Sequence, residues 1–254
     1  MQVKILGCSG GIGQSLRTTS FQVDEDILID AGTGVGDLSI EALCKIDHIF
    51  LTHSHLDHIA SIPFLLDTVM GIRAKPVTVH ATTETLEVLK EHIFNWKVWP
   101  DFNVIPDARN PFLRYQVVNV GETIEVSGRW ITPLPANHTV PAVGYRLDSG
   151  KNSLVFTGDT TSCDELWDYV NKIDNLKYVV IETAFGDEEI VLARLSKHLC
   201  PALLKEELKK LQRPAEIYIT HLKPGEDATI MQEVGHMDFK VKPAAIYPNQ
   251  VFEL

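Results

Sequence analysis

The segment Thr52-His53-Ser54-His55-Leu56-Asp57-His58 places three imidazoles and one carboxylate within six residues. Imidazole nitrogen and carboxylate oxygen suit a borderline divalent cation such as Zn2+, and Mn2+ or Fe2+ also accept such donors. One tetrahedral ion cannot comfortably use all four donors from so short a loop, whereas two ions about 3.5–4 Å apart can. Two ions need further ligands. Three polar residues each follow an apolar run: His138 in Pro135-Ala136-Asn137-His138, Asp159 in Thr157-Gly158-Asp159, and His221 in Ile219-Thr220-His221. Alone, each would be a turn or capping residue. Behind the His-rich segment they form a ladder of donors at strand ends.

Those donors need elements to hold them. Apolar runs and alternation predict strands at residues 3–6, 19–23, 27–30, 47–52, 77–80, 123–126, 130–134, 142–147, 153–157, 178–181 and 216–220. Residues 24–26 and 148–152 read as hairpin turns. Helices are expected at 82–92 with a Thr82 cap, at 163–171, at 201–212 with Pro201 in the first turn, and at 228–234, and Asp57 and His58 begin another. Residues 94–111 look irregular. Hairpins outnumber strand–helix–strand units, which argues against a doubly wound sheet. Two strand-rich halves with helices outside fit an α/β fold, a four-layer αββα sandwich, in one domain spanning residues 1–254.

Composition narrows the function. The 254 residues carry 23 Lys plus Arg against 34 Asp plus Glu, a formal charge of −11. That acidity disfavours a nucleic-acid partner, which normally demands a basic footprint. No apolar run approaches the roughly 18 residues needed to span a bilayer, so no membrane role is expected. The first residues lack the basic-then-apolar pattern of a signal peptide. Cys8, Cys44, Cys163 and Cys200 are scattered and form no CxxC pair. Four reduced thiols in a cytoplasmic protein are expected.

In this order, His53-Ser54-His55-Leu56-Asp57-His58, His138, Asp159 and His221 resemble the ligand pattern of the metallo-β-lactamase superfamily, and Asp30 in Ile29-Asp30-Ala31-Gly32 resembles its first Asp. The resemblance implies that His53, His55 and His138 bind one metal, that Asp57, His58 and His221 bind the second, and that Asp159 bridges them. Asp30 would orient the His loop. A bridging Asp favours phosphoester hydrolysis over β-lactam hydrolysis, and His at position 55 argues against an oxygen-reducing diiron centre. A thioesterase shares the ligand set.

Four further segments resemble class II cyclic-nucleotide phosphodiesterases: residues 16–21 leading to 27–34; the His53–Ile59 run, with Pro63 where an aliphatic residue is usual; Trp99-Pro100-Asp101-Phe102; and Ser196-Lys197-His198-Leu199 after Ile181-Glu182-Thr183. The expected activity is hydrolysis of a small 3′,5′-cyclic nucleotide, cyclic AMP or cyclic GMP, to its 5′-monophosphate by a hydroxide bridging two Zn2+. His198, oriented by Glu182, would protonate the leaving oxygen, and Asp57 is counted among the catalytic residues as well as the ligands. Thr33, Gly34 and Asn137 lie beside ligands and could touch phosphate. Trp96, Trp99 and Phe102 could stack on a base, form local core, or contact a second copy in a homodimer. His48, His80, His92 and His236 read as structural or surface residues. Competing readings are a tRNA-processing endonuclease and a metal-bound nucleotide sensor without turnover.

Overall fold

The computed structural model describes Met1–Leu254. Its strands are β1 (Gln2–Gly7), β2 (Ser20–Val23), β3 (Ile27–Ile29), β4 (His48–Phe50), β5 (Val77–Ala81), β6 (Leu113–Val117) and β7 (Ile124–Val126). They continue with β8 (Arg129–Pro135), β9 (Val143–Asp148), β10 (Ser153–Phe156), β11 (Leu176–Glu182), β12 (Glu216–Thr220), β13 (Ala244–Ala245) and β14 (Val251–Glu253). They form two seven-stranded sheets, ordered β14-β1-β2-β3-β4-β5-β6 and β13-β12-β11-β10-β9-β8-β7. Each is mixed in the same way. The hairpin strands pair antiparallel, and β3 to β6 and β10 to β13 pair parallel.

The period-2 geometry of strands sorts side chains into three cores. Ile27, Ile29 and Phe50 point between the sheets, where they meet Ile131, Tyr145 and Val180. Their neighbours Leu28 and Ile49 point the other way, towards the helices α1 (Ile40–Leu43), α2 (Leu56–Ile59), α3 (Ile62–Val69) and α4 (Thr83–Val88). On the second sheet, Val179, Ile181, Ile217 and Ile219 face α5 (Asp164–Val170), α7 (Pro201–Leu208) and α8 (Asp227–His236). The layers are therefore αββα, as expected from the two strand-rich halves.

Several elements depart from the sequence reading. The helix expected from Asp57 is two helices. Ser61, between them, bonds Gly32 O at 2.8 Å, and Pro63 occupies the first turn of α3, where its missing N–H costs nothing. β6 was not expected: it is an edge strand with only Leu113 fully buried, so its alternation carries no strong signal. β13 and β14 are too short for a pattern. α6 (Ile190–Ser196) exposes Val191 and Leu195, which hides its period. Thr82 does cap α4, accepting from Thr85 N at 3.5 Å, and residues Leu89–Ile93 continue as a π-helical turn.

Two polar ties matter below. Arg129, at the start of β8, bonds Asp26 Oδ2 at 2.8 Å and Asp24 Oδ2 at 3.3 Å, clasping the second sheet to the β2–β3 turn of the first. Glu207 on α7 is 3% exposed. Its carboxylate accepts from Trp167 Nε1 at 2.9 Å, Cys163 N at 3.2 Å, Lys210 Nζ at 2.6 Å and the Ser162 hydroxyl, tying α7 to α5. No helix is long and apolar enough to cross a membrane.

Candidate metal centre

The C-terminal ends of strands from both sheets deliver the polar residues to one place. Asp30 follows β3, the His-rich loop follows β4, and His138, Asp159 and His221 follow β8, β10 and β12. One donor atom from each of His53, His55 and His138 lies within 4.8 Å of the others. The same holds for Asp57, His58, Asp159 and His221. Asp159 stands between the groups, its Oδ2 lying 3.7 Å from His53 Nε2 and 3.3 Å from His58 Nε2.

Buried ring nitrogens test whether cations fit. His53 Nε2, His58 Nε2 and His221 Nε2 are buried with no hydrogen-bond partner, an arrangement that costs free energy unless something fills the space. His55 Nδ1 and His138 Nε2 are 3.2 Å apart. Divalent cations would satisfy all five nitrogens at once, and the donors present suit them. Burial keeps these imidazoles neutral, each with a lone pair to offer a cation: it holds His53 well below its ordinary pKa and pushes His138 down to about 4 and His221 to about 3. Burial opposes charge on His58 too, but Asp159 and Asp30 outweigh it and hold that ring well above its ordinary value. Burial would raise Asp159, yet His221 and His58 hold its carboxyl well below the usual range.

The second ring nitrogens of His53, His58 and His138 are held by fixed partners. Asp30 is fully buried; Oδ2 accepts from His58 Nδ1 at 2.7 Å and from Thr52 Oγ1 at 2.8 Å, and Oδ1 accepts from Thr52 N at 2.8 Å. Thr52 Oγ1 also lies 3.0 Å from His53 Nδ1. Backbone strain occurs here: Asp30 and His221 have φ of 58° and 64°, uncommon for non-glycine residues. Gly158, with φ 63°, turns the chain into Asp159, and a Cβ there would lie 2.7 Å from Val143 O. Gly10 passes so close to His221 that a Cβ would sit 2.7 Å from its carbonyl and 3.0 Å from its ring.

Beside both groups sits an acid–base pair. Glu182 ends β11, fully buried, and its Oε1 accepts from His198 Nδ1 at 2.8 Å. Thr160 N and Leu199 N also donate to its carboxylate, at 3.1 and 3.2 Å. The His198 ring is 5.0 Å from that of His138 and 5.1 Å from that of His221. Burial opposes its charge, but Glu182 prevails and raises its pKa.

The substrate-contact expectations fare differently. Phe102 is 1% exposed in the first core and offers no face to a ligand; the Pro-rich loop that carries it folds inward. Trp99 packs edge-on against Phe64 at 5.4 Å. Trp96 is 65% exposed. None of these rings pairs with a site histidine. Thr33 exchanges hydrogen bonds with Thr18, at 2.8 and 2.9 Å. Asn137 spends both ends of its amide on Lys197 and Ser162. His80 is buried against Phe50 and meets His48 at 3.0 Å, away from the ligand groups. Sequence reasoning missed Thr52, Gly10 and Phe185, whose ring meets His198 edge-on at 5.8 Å. Only Gly10 left a signal, in the glycine-rich run from Gly7.

Residues 25–242 match the family model of the beta-lactamase superfamily domain. The chain is similar to a Yersinia pestis protein described as a probable 3′,5′-cyclic-nucleotide phosphodiesterase, with 26% identity over 238 residues. That alignment covers 84% of this chain and 67% of that one. A ribonuclease Z of Clostridium beijerinckii is 30% identical over 156 residues, 57% of this chain and 48% of that one. The chain thus spans about two thirds and about half of these relatives' lengths. Unliganded yeast PDE1 shares the fold, with a TM-score of 0.84 at 19% identity, covering 100% of this chain and 99% of that one.

Proposed function

The chain belongs to the beta-lactamase superfamily domain family, and on that premise we propose that residues 1–254 act as one dizinc phosphodiesterase domain hydrolysing 3′,5′-cyclic nucleotides to 5′-monophosphates. His53, His55 and His138 hold one ion, Asp57, His58 and His221 the other, and Asp159 both. When bound, such ions lower the pKa of water and neutralise phosphate charge. The observation that carries the reading is the buried Glu182–His198 pair at 2.8 Å beside both ligand groups. Glu182 fixes the ring through Nδ1 and keeps it protonated, so that Nε2 can deliver a proton to the departing 3′-oxygen. The Yersinia pestis relative supports the choice of a cyclic nucleotide. Unpaired Cys8, Cys44, Cys163 and Cys200 suit a reducing, cytoplasmic setting.

The ribonuclease Z relative favours a second reading, tRNA cleavage. Charge weighs against it: two divalent cations bring −11 only to −11 + 4 = −7, still repellent to a polyanion. One panel decides: cyclic AMP, cyclic GMP, a 2′,3′-cyclic nucleotide, a linear phosphodiester, pre-tRNA and a thioester, with metal content measured in parallel. Turnover of 3′,5′-cyclic nucleotides by protein with two ions per chain is expected. Efficient pre-tRNA cleavage with steep salt dependence, and no cyclic-nucleotide turnover, would reverse the assignment.

A further inference from the structure

Lys197 closes α6 with φ 54° and ψ 47°, a left-handed conformation that strains any residue with a Cβ and that glycine adopts freely. Its side chain has a use that glycine could not supply. The ammonium donates to Asn137 Oδ1 at 3.0 Å and to the carbonyl of His138 at 2.9 Å. The Lys197 carbonyl, turned by the left-handed backbone, accepts from His138 Nδ1 at 3.1 Å. The two residues thus grip each other twice, ring to backbone and backbone to side chain. Asn137 extends the grip, because its Nδ2 donates to Ser162 O, in the loop that begins with Asp159. The residue after Lys197 is His198, whose ring meets that of His138 edge-on at 5.0 Å.

We propose that Lys197 is a positioning residue. By gripping His138 at ring and backbone, it fixes that imidazole as the Nδ1–H tautomer and leaves Nε2 free to share an ion with His53 and His55. The same grip sets the distance between this ligand and His198. The role rests on the dimetal reading above, but concerns one of its two ions only. Loosening His138 weakens the group it completes and leaves Asp57, His58, Asp159 and His221 as they are. Partners that orient a ligating histidine are typically worth 10–100-fold in metal affinity.

Three variants of the full chain test this. Lys197→Met and Lys197→Gly remove the ammonium, and Lys197→Arg keeps a cationic donor. Long-range 1H–15N spectra of the metal-free proteins report the His138 tautomer, and Zn2+ titration against a competing chelator reports each ion's affinity. Wild type is expected to show only the Nδ1–H form. The Met and Gly variants are expected to gain the Nε2–H form and to lose roughly 10–100-fold in affinity for one ion only, with Arg restoring most of both. A melting temperature for Lys197→Gly at or above wild type would separate these losses from unfolding. A pure Nδ1–H tautomer with two wild-type affinities in Lys197→Met would overturn the role of Lys197 and leave the dimetal reading intact. Wild-type protein that takes up no Zn2+ would overturn that reading, and the tautomer spectra would still decide whether Lys197 fixes His138.

Discussion

Asp159 has a side chain that reaches towards both ligand groups, so its removal should be felt by both. Asp159→Ala is expected to lose metal and activity together, by elemental analysis and a turnover assay; two ions per chain in that variant would sink its bridging role. His198→Ala is expected to behave oppositely. It should keep both ions and lose about 10²–10⁴-fold in turnover, the usual range for a positioned proton donor; unchanged turnover would refute the acid role. The spacing of His53, His55, Asp57 and His58 was legible because it is local: a loop after a strand brings those four together by itself. His138, Asp159 and His221 were legible only through their shared position at strand ends. The partners of Asn137 and Thr33, Lys197 and Thr18, were not legible, because they are set by folding and not by neighbourhood in sequence.

At the scale of elements, the buried strands were read best, since β3, β4, β10, β11 and β12 bury side chains on both faces and show as apolar runs. Edge strands and short helices escaped because their surfaces are half wet. α7 joins α5 through a buried carboxylate that no local pattern announces. Four donors hold the Glu207 charge and lower its pKa, against burial that would raise it. Its stabilising effect is therefore present above the ordinary glutamate range and is lost as pH falls through the lowered folded-state value. Glu207→Gln is expected to cost about 1–3 kcal/mol at pH 7 in denaturant unfolding. The gap should narrow below about pH 4 as the wild-type carboxylate also protonates. A gap unchanged at pH 3 would show that shape, not charge, makes the tie.

For the whole molecule, the strand-rich halves gave the layers. That the two sheets repeat one pattern of antiparallel and parallel pairing was invisible, because no residue period accompanies it. The sandwich is joined across its layers at opposite ends by different chemistry: ligand groups drawn from both sheets at one end, Arg129 with Asp24 and Asp26 at the other. Amide exchange should resolve them. Chelator is expected to speed exchange in the loops after β4, β8, β10 and β12 and to spare the β2–β3 turn, whereas Arg129→Met should do the reverse; uniform acceleration by either would contradict it. The buried core between the sheets, with Phe50, Tyr145 and Val180 in it, lies between these two ties, so that either can loosen while the layers stay together.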